Sequence, residues 1–521
     1  MTDTQSKPGA ATPDALPAFG ADASLSTLGD GTGAALEPAL RRFLGHQRWF
    51  AAKSERLDAV GYAPIGPVDG ASDALAGEAV VRTGEGEQRY FLPLAFRPRD
   101  NEGIAAHLLG TAEGNKALLD ATRDPEFCRA IVALIADGAR AETGQGALRA
   151  HASAAKAELL AEARAVEPDA IKPLSGEQSN TSIGIGRAAI LKFYRLLRDG
   201  EQPELEVTEF LTENTDFTAA PALLGSLELS RADGSRAAVA ALFERIGNAG
   251  DAWASVTGAL AARLRSGEGG APQPFAFDPG RTIGRRTGEM HAALATETGN
   301  AAFDPEPLDR ISLARIVDEA KHEAAGAIAV LRGVSGAGAD VRADIEALSA
   351  RESEIVQWFE SFKALETAGR RTRIHGDYHL GQLLVRGDDI VILDFEGEPG
   401  RTLPERRAKT SPLRDVAGML RSYDYAAFAA LDTLRADDPA LAERARAEAE
   451  RWRDETSAAF LSAWEAASGV DLTDEGNARL LDLFLLQKAF YELRYEAAMR
   501  PAWLSIPLRG IVSLLQKRQV L

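Results

Sequence analysis

The sequence predicts an α+β protein in which mixed helices and strands precede a mostly helical C-terminal region. Apolar residues alternate at the two-residue period of β-strands over 181–186 and 188–194. After Gly250 the apolar spacing is helical, with interruptions only at short apolar strands near Ile374 and at 390–394. At 521 residues the chain is longer than one hydrophobic core usually organises, so more than one domain is expected.

The predicted domain order begins with a disordered tail at residues 1–24. This stretch is rich in small and polar residues and has too few large apolar groups to offset the entropy of ordering. The Ala- and Leu-rich stretch 103–165 has helical spacing and is predicted to be a connecting segment. The predicted divisions after the tail are a cap domain over 25–102, an intermediate segment with a small N-lobe over 103–247, and a helical C-lobe over 248–521.

Charge and cysteine content limit the possible function classes. The 77 acidic and 59 basic side chains give a net charge of −18, which would repel nucleic acid. No apolar run has the length of a membrane helix, and the N-terminus lacks a signal-peptide pattern. Cys128 is the sole cysteine, which excludes an internal disulfide. We therefore expect a cytoplasmic protein that binds neither nucleic acid nor membrane.

The most specific motif runs from His375 to Gln382 and is followed by an apolar strand that ends at Asp394. Kinase-like phosphotransferases use a carboxylate to accept the proton of the acceptor hydroxyl, an amide five residues later that helps hold Mg²⁺, and a second carboxylate after a nearby strand. Asp377, Gln382 and Asp394 have this order and spacing. The alternative is an ordinary hairpin flanked by two acids. We predict Asp377 as the catalytic base, with Gln382 and Asp394 as ligands of Mg²⁺.

Two residues of this motif depart from the protein-kinase pattern. Gln382 stands where Asn is usual, but its amide carbonyl can still reach a metal ion. Glu396 follows Phe395 where Gly is usual, and Glu398 adds a further charge. These two acids are predicted either to tune the metal ion and bind substrate hydroxyls, or to be solvated loop acids.

Upstream, Lys192 lies near the middle of the short apolar strand 189–193. A buried lysine is costly unless an anion pairs with it, and an ATP phosphate is a suitable partner. Kinases have a strand lysine that is oriented by an ion pair with a helix glutamate. Glu206, on a predicted helix, is expected to orient Lys192 in this way, and Glu209 is the alternative. The alternative is an edge-strand lysine that points to water.

The segment from Gly176 to Ser182 stands where a phosphate-covering loop is expected. It does not have the glycine pattern of kinases, but Ser, Asn and Thr offer hydrogen-bond donors to phosphate. We therefore predict that Ser179, Asn180 and Thr181 contact ATP.

The histidines of the C-terminal region are predicted to be structural or substrate-binding. His291 lies in an amphipathic helical segment and is expected to be structural. His375 and His379 have the spacing of a zinc pair, but Gly376 and the preceding strand indicate a loop, so a zinc site is not expected.

Several long segments resemble bacterial maltokinases. The most similar run extends over 374–399 and 405–427, and further matches occur at 47–53, 177–182, 248–253 and 488–508. The resemblance implies an aminoglycoside-phosphotransferase or eukaryotic-kinase-like bilobal fold with an N-terminal cap domain. It also implies transfer of the ATP γ-phosphoryl group to the anomeric hydroxyl of maltose, which gives maltose 1-phosphate for α-glucan (glycogen) synthesis. Association with trehalose synthase is a further expectation, because such kinases also occur fused to it.

The sugar site is predicted to lie on the C-lobe beside Asp377. Disaccharides have apolar faces and hydroxyl rims, so their sites combine aromatic surfaces with a few polar groups. The proposed contacts in the maltokinase-like segments are His379, Glu396, Arg421, Tyr423, Tyr495 and Trp503. Gln487 and Met499 depart from the family pattern, which leaves the details of this pocket less constrained.

Two other functions fit the same residues. One is a kinase for a different small acceptor, such as glucosamine or an aminoglycoside, because the fold and ATP site would look alike. The other is a non-catalytic kinase-fold module that binds trehalose synthase. The presence of Lys192, Asp377 and Asp394 favours an enzyme over a silent module.

Overall fold

The computed structural model divides into two compact units. The first comprises Met1–Leu205 and Ala222–Arg245, and the second comprises Glu206–Pro221 and Ile246–Leu521. Most of the expected tail at 1–24 lies outside the described residues. The structure describes residues 17–19, 25, 36–99, 107–113, 115–144, 146–174, 179–266, 275–334, 338–366 and 369–521.

The strands lie mostly in the first unit and form two large sheets there. They are β1 (Ala18–Phe19), β2 (Leu57–Pro67), β3 (Ala74–Thr83), β4 (Gly86–Phe91), β5 (Leu94–Pro98), β6 (Leu108–Ala112), β7 (Lys116–Asp120), β8 (Arg140–Thr143), β9 (Gly146–Ala152), β10 (Ile171–Pro173), β11 (Asn180–Ile185), β12 (Ala189–Tyr194), β13 (Leu196–Leu197), β14 (Leu223–Arg231), β15 (Arg236–Glu244), β16 (Glu306–Pro307), β17 (Arg370–Arg371), β18 (Leu383–Arg386) and β19 (Asp389–Ile392).

The helices lie mostly in the second unit. They are α1 (Leu36–His46), α2 (Pro125–Ala136), α3 (Ala157–Arg164), α4 (Pro203–Asn214), α5 (Ala252–Ser266), α6 (Pro279–Leu294), α7 (Arg310–Leu331), α8 (Ala339–Ala350), α9 (Glu352–Ser361), α10 (Leu403–Arg407), α11 (Leu413–Asp437), α12 (Pro439–Ser468), α13 (Glu475–Met499) and α14 (Ser505–Lys517). The predicted α+β class with a mostly helical C-terminal region is confirmed.

The first sheet has the strand order β1-β6-β7-β5-β3-β4-β13, with β2 paired to β3. Part of the expected tail belongs to it, because β1 pairs with β6 and buries the ring of Phe19. The sheet also extends to Asp120, beyond the boundary expected at residue 102. The helical spacing expected over 103–165 is therefore wrong for β6 to β9, since short Ala- and Leu-rich runs do not distinguish helix from strand.

The second sheet is antiparallel and has the order β10-β11-β12-β15-β14-β9-β8. Helices α2 and α3 pack against its apolar face through residues such as Phe127, Ile131 and Leu160. Asp124 caps α2 by accepting a hydrogen bond from the Phe127 N–H, and Pro125 occupies the first turn. This sheet holds β12, and with it Lys192, between two neighbouring strands.

The second unit has one large core to which α5 to α9 and α11 to α14 contribute. A two-stranded sheet of β16 with β17 and a short hairpin of β18 with β19 complete it. The β18–β19 hairpin is fixed to α4 and its following loop by a hydrogen bond from the Ile392 N–H to the Ala219 carbonyl, 2.7 Å long. The catalytic motif flanks this hairpin.

Helices α6 and α12 approach each other closely along a stripe of glycines. Gly280, Gly284 and Gly288 recur every four residues and therefore share one face of α6. A Cβ atom on Gly288 would lie 2.7 Å from the Trp464 carbonyl oxygen, and one on Gly284 would overlap the Phe460 carbonyl oxygen. The absence of side chains at these positions sets the spacing of the two helices.

We expect Gly284→Ala to destabilise the protein by about 1–3 kcal/mol, because the added methyl group forces the α6 and α12 backbones apart. Urea unfolding measures this change. Gly258→Ala is the matched control, since Gly258 lies in α5 and a Cβ there meets nothing within 4 Å. It should stabilise by roughly 0.5–1 kcal/mol. Equal stability of both variants would contradict the role of the stripe.

Candidate active site

The loop that carries Asp377 is fixed by the side chain of His375. Its Nε2 atom lies 2.7 Å from the Leu393 carbonyl oxygen and must donate to it, so Nδ1 is the atom that accepts from the Asp377 N–H at 3.3 Å. The ring is buried and packs against Tyr378 and Phe395 at centroid distances of 5.2 and 5.0 Å. His375 is therefore a structural residue.

Asp415, at the start of α11, anchors the same loop. Its carboxylate accepts hydrogen bonds from the backbone N–H groups of His375 and Gly376 at 2.8 and 2.9 Å. Burial alone would raise the pKa of Asp415, but the hydrogen bond from His291 and the other donors hold that pKa below its ordinary value. The carboxylate therefore stays ionised in the core. The sequence analysis did not single out Asp415.

His291 connects Asp415 to the glycine-lined helix pair. Its Nε2 lies 3.0 Å from Asp415 Oδ2, and its Nδ1 accepts a hydrogen bond of 2.9 Å from Trp464 Nε1. Because the indole N–H can only donate, Nδ1 carries no proton and Nε2 is the donor to Asp415. His291 is buried and fully engaged, in agreement with the expected structural role.

Asp394 and Gln382 meet at the open end of the hairpin, where Gln382 precedes β18 and Asp394 follows β19. Gln382 Nε2 donates to Asp394 Oδ2 at 3.2 Å. This hydrogen bond also fixes the orientation of the Gln382 amide carbonyl. Asp394 adopts φ +64°, a conformation that L-residues rarely adopt and that often occurs at functional sites. A carboxylate and an amide oxygen are the donors that Mg²⁺ prefers, so these two residues fit the predicted metal. Glu396, 4.0 Å from Arg406, extends the acidic loop.

His379 lies in the field of both predicted catalytic acids. Burial lowers the pKa of its imidazole, and the charge of Lys488 acts in the same direction, while the charges of Asp377 and Asp394 oppose them. The net effect is a pKa below the ordinary value, so His379 is neutral at pH 7. Its Nδ1 accepts from the Gly381 N–H at 3.0 Å and shapes the loop. His379 does not line the cavity described next.

A cavity of about 310 Å³ opens beside Asp377 in the second unit. Lys488, on α13, lies 3.9 Å from Asp377 Oδ1 and 3.5 Å from Glu398 Oε1, with its Nζ 4.8 Å from the Tyr491 ring centroid. The polar residues that line the cavity are Glu319, His322, Glu323, Asp377, Glu398, Glu405, Arg401, Arg414, Asp415, Gln487, Lys488 and Tyr491.

The predicted sugar wall is wrong in its main aromatic residue. Tyr423 is fully buried and donates to the Pro279 carbonyl at 2.8 Å, so it belongs to the core. Arg421 is also buried, in ion pairs with Glu492 and Asp424 at 2.9 and 2.5 Å. The sequence did not reveal this because α11 is apolar around most of its circumference.

The other predicted wall residues also lie outside the cavity lining. Trp503 packs against Tyr425 and Phe428, and Tyr495 is 46% exposed under Arg500. Tyr491, one turn of α13 before Tyr495, lines the cavity instead. The two tyrosines are four residues apart and share one face of α13, so it is a different turn of the helix, and not a different face, that supplies the aromatic lining residue.

In the first unit, Lys192 forms a buried ion pair with Glu204. Lys192 Nζ lies 3.0 and 2.8 Å from the two Glu204 carboxylate oxygens, and Tyr194 donates to Oε2 at 2.6 Å. Lys192 is 7% exposed on a central strand, so the edge-strand alternative is wrong. The pair has the lysine and glutamate composition that kinases use to hold ATP phosphates.

Glu206 does not orient Lys192, contrary to the expectation. Two residues along a helix correspond to about 200° of rotation, so Glu206 and Glu204 lie on nearly opposite faces of α4. Glu206 instead accepts hydrogen bonds from Arg373 at 2.9 Å and from Arg407 at 2.8 Å through each oxygen. The correct glutamate is twelve residues after Lys192 rather than fourteen.

The predicted phosphate loop is described only from Ser179 onward; Gly176, Glu177 and Gln178 lie outside the described residues. Ser179 is exposed and Asn180 is half-buried at the start of β11. Thr181 is buried and accepts a hydrogen bond of 2.8 Å from Arg195 Nε. Arg195 in turn binds Asp120 Oδ2 at 2.5 Å, which ties the start of β11 to the first sheet.

These two groups of residues define a class of protein. The second unit presents a carboxylate on a rigid loop beside a cavity, followed by an amide and a second carboxylate in contact. The first unit presents a buried lysine held by a helix glutamate. This is the residue set of a kinase-like phosphotransferase.

Comparison with known proteins agrees with this class. The pattern of the phosphotransferase enzyme family matches residues 170–452, more than half of the 521 residues. The chain belongs to this family. Residues 43–124 match the maltokinase N-terminal cap domain. The predicted kinase-like fold with an N-terminal cap domain is confirmed.

Several relatives have the name glucosamine kinase. The chain is 29% identical over 351 residues to one from Mycolicibacterium smegmatis, covering 66% of this chain and 80% of the relative. It is 28% identical over 436 residues to one from Streptacidiphilus jiangxiensis, covering 79% and 91%. A solved glucosamine kinase superposes with a TM-score of 0.60 at 22% identity, over 89% of this chain and 92% of that chain, which shows a shared fold. Within the described residues, no helix is long and apolar enough to cross a membrane.

We expect Glu204→Gln to weaken ATP binding about 10- to 100-fold, because it removes the charged acceptor that holds Lys192 in place. Isothermal titration calorimetry measures the Kd for ATP directly. Glu206→Gln is the matched control: it should retain ATP affinity and lower stability instead, since Arg373 and Arg407 lose their shared partner. Equal losses of ATP affinity in both folded variants would contradict this assignment.

Asp415→Asn should lower the free energy of unfolding by about 2–4 kcal/mol, because it replaces the charged acceptor of three buried hydrogen bonds. The low pKa of Asp415 means that its contribution is present above the unfolded pKa of about 3.9 and is lost as the pH falls through the folded value. Urea unfolding at neutral and acidic pH tests both statements. Asp437→Asn, an exposed change on the same helix, should have little effect. A loss that grows toward acidic pH would contradict the assigned sign.

Proposed function

We propose that this protein phosphorylates maltose at its anomeric hydroxyl with ATP, and that the sugar binds in the cavity beside Asp377. The maltokinase-like segments at 374–399, 405–427 and 488–508 support this acceptor, because they supply both the Asp377 loop and most of the cavity wall. The product, maltose 1-phosphate, would serve α-glucan synthesis, and association with trehalose synthase remains an expectation from the same resemblance.

The observation that carries the choice of a neutral sugar is the internal pairing of the cavity acids. Glu398 lies 2.9 Å from Arg401 and 3.5 Å from Lys488, and Glu323 lies 2.8 Å from Arg494. Burial would raise the pKa of Glu398, but Lys488, Arg414 and Arg401 outweigh it and lower that pKa. A wall whose carboxylates already have cationic partners suits hydroxyl groups better than an ammonium group.

Asp377 is proposed to accept the proton of the attacking hydroxyl. Lys488 faces it at 3.9 Å, and its own pKa is raised because Glu398 and Asp377 outweigh the effect of burial. Lys488 therefore stays charged beside the carboxylate that is proposed to accept the proton. Gln382 and Asp394 would hold Mg²⁺, which neutralises phosphate charge when bound, and Lys192 with Glu204 would hold the ATP phosphates.

Glucosamine is the second candidate acceptor, and the named relatives favour it. The two relatives described above are called glucosamine kinases, and a solved glucosamine kinase is described in complex with glucosamine, ADP and inorganic phosphate. The sequence identities of 28–29% leave room for a different acceptor.

Coupled ADP release and mass spectrometry of the product distinguish the two acceptors. With ATP and maltose, we expect a maltose monophosphate whose phosphate is lost on mild acid hydrolysis, as an anomeric ester requires, and a lower kcat/KM for glucosamine. Asp377→Asn should reduce turnover roughly 10²- to 10⁴-fold while it retains ATP binding, because it removes the proton acceptor without changing shape.

A higher kcat/KM for glucosamine would overturn the maltose assignment but leave Asp377 as the base. If the turnover of Asp377→Asn were within a few-fold of the parent, Asp377 would not be the catalytic base, whichever sugar is used.

A further inference from the structure

A second polar cavity in the second unit is cationic, although the whole chain carries a net charge of −18. It has a volume of about 350 Å³ and lies among α7, β17 and the segment after α10. Its charged lining residues are Arg315, Arg371, Arg373, Arg407, Lys409 and Glu306. Its lining shares no residue with the cavity beside Asp377.

Among the described residues, the carboxylates that form ion pairs with these cations are fewer than the cations. Glu306 pairs with Lys409 at 2.6 Å and with Arg371 at 2.5 Å. Glu206 pairs with both Arg373 and Arg407. Two carboxylates thus serve four cations. The fifth cation, Arg315, has Glu319 4.0 Å away, at the limit of an ion pair.

Arg373 supplies a second and independent sign of a missing anion. Its side chain is 2% exposed, and it lies over the Phe303 ring at 5.0 Å, where water has little access. Within the described residues its Nη2 atom is buried without a hydrogen-bond partner, and so is Nε of Arg371. Buried guanidinium donors are normally satisfied, so unpaired ones that line a cationic cavity indicate an acceptor from outside the chain.

We propose that this cavity binds a dianionic phosphate group, as inorganic phosphate or as the phosphate monoester of a small molecule. A phosphate offers several acceptor oxygens, which match the planar donor forks of arginines that converge from different segments. A single carboxylate would satisfy fewer of them. The cavity volume leaves room for a small group attached to the phosphate.

The site has a direct connection to the catalytic loop. Arg373 precedes His375 by two residues, and the His375 N–H is one of the donors held by Asp415. Arg373 also shares Glu206 with Arg407, so a phosphate in the cavity contacts the start of the Asp377 loop and the end of α10 together. This proposal does not depend on which sugar the enzyme phosphorylates.

Calorimetric titration of the full chain with inorganic phosphate and with glucose 1-phosphate, at constant ionic strength, tests the site. The parent should bind at least one of them, and Arg407→Gln should weaken that binding about tenfold. Arg315→Gln should also weaken anion binding. This variant leaves the ion pairs of Glu206 with Arg373 and Arg407 intact. Tighter binding of glucose 1-phosphate would identify a monoester ligand, and tighter binding of phosphate would identify the free ion; both support the site.

Arg310→Gln is the matched control, because Arg310 begins the same helix as Arg315 but does not line the cavity. It should bind phosphate as the parent does. The proposal is overturned if the parent binds neither anion. It is also overturned if the affinity is the same in Arg407→Gln, Arg315→Gln and Arg310→Gln, since the anion would then lie elsewhere, for example where ATP phosphates bind.

Discussion

The ionised carboxylate of Asp415 is the interaction on which the catalytic loop depends. It is fully buried, and a buried charge is costly unless hydrogen bonds replace its water. Two backbone N–H groups of the loop and the His291 ring fill this role. The loop can therefore leave its observed conformation only by exposing an unsatisfied charge in the core. This constraint fixes the backbone next to Asp377 before any substrate arrives.

The glycine stripe on α6 makes this anchor possible. His291 and Gly288 lie on the same helix, and the close approach at Gly288 brings Trp464 to within hydrogen-bond distance of His291. The indole N–H then selects the tautomer that donates to Asp415. A similar close approach occurs at Gly418, where a Cβ atom would lie 2.6 Å from the Tyr378 carbonyl oxygen. Glycines on α6 and α11 thus help to set the position of the loop.

The sequence predicted the fold class and the order of the chemical groups because these depend on local patterns. The strand around Lys192 and the hairpin before Asp394 have clear periodicity and motif spacing. The glutamate that pairs with Lys192 was predicted two residues too late, at Glu206 instead of Glu204. The face that each residue of a helix presents depends on where the helix begins, and the sequence pattern does not fix that residue. Tyr423 was misplaced because burial is a tertiary property. Asp415 was missed because its partners are backbone N–H groups, which leave no residue signature in the sequence.

Charge pairing gives the two cavities of the second unit opposite characters. Beside Asp377, Arg401, Arg414 and Lys488 all pair with Glu398, which leaves a polar wall at this carboxylate suited to hydroxyl groups. Around Arg373, the cations exceed their carboxylate partners, and buried donors remain without acceptors among the described residues. In an acidic protein, long-range repulsion opposes the approach of any anion. A local excess of arginine is therefore required wherever a phosphate group is to be held, and it is absent where a neutral sugar is to be held.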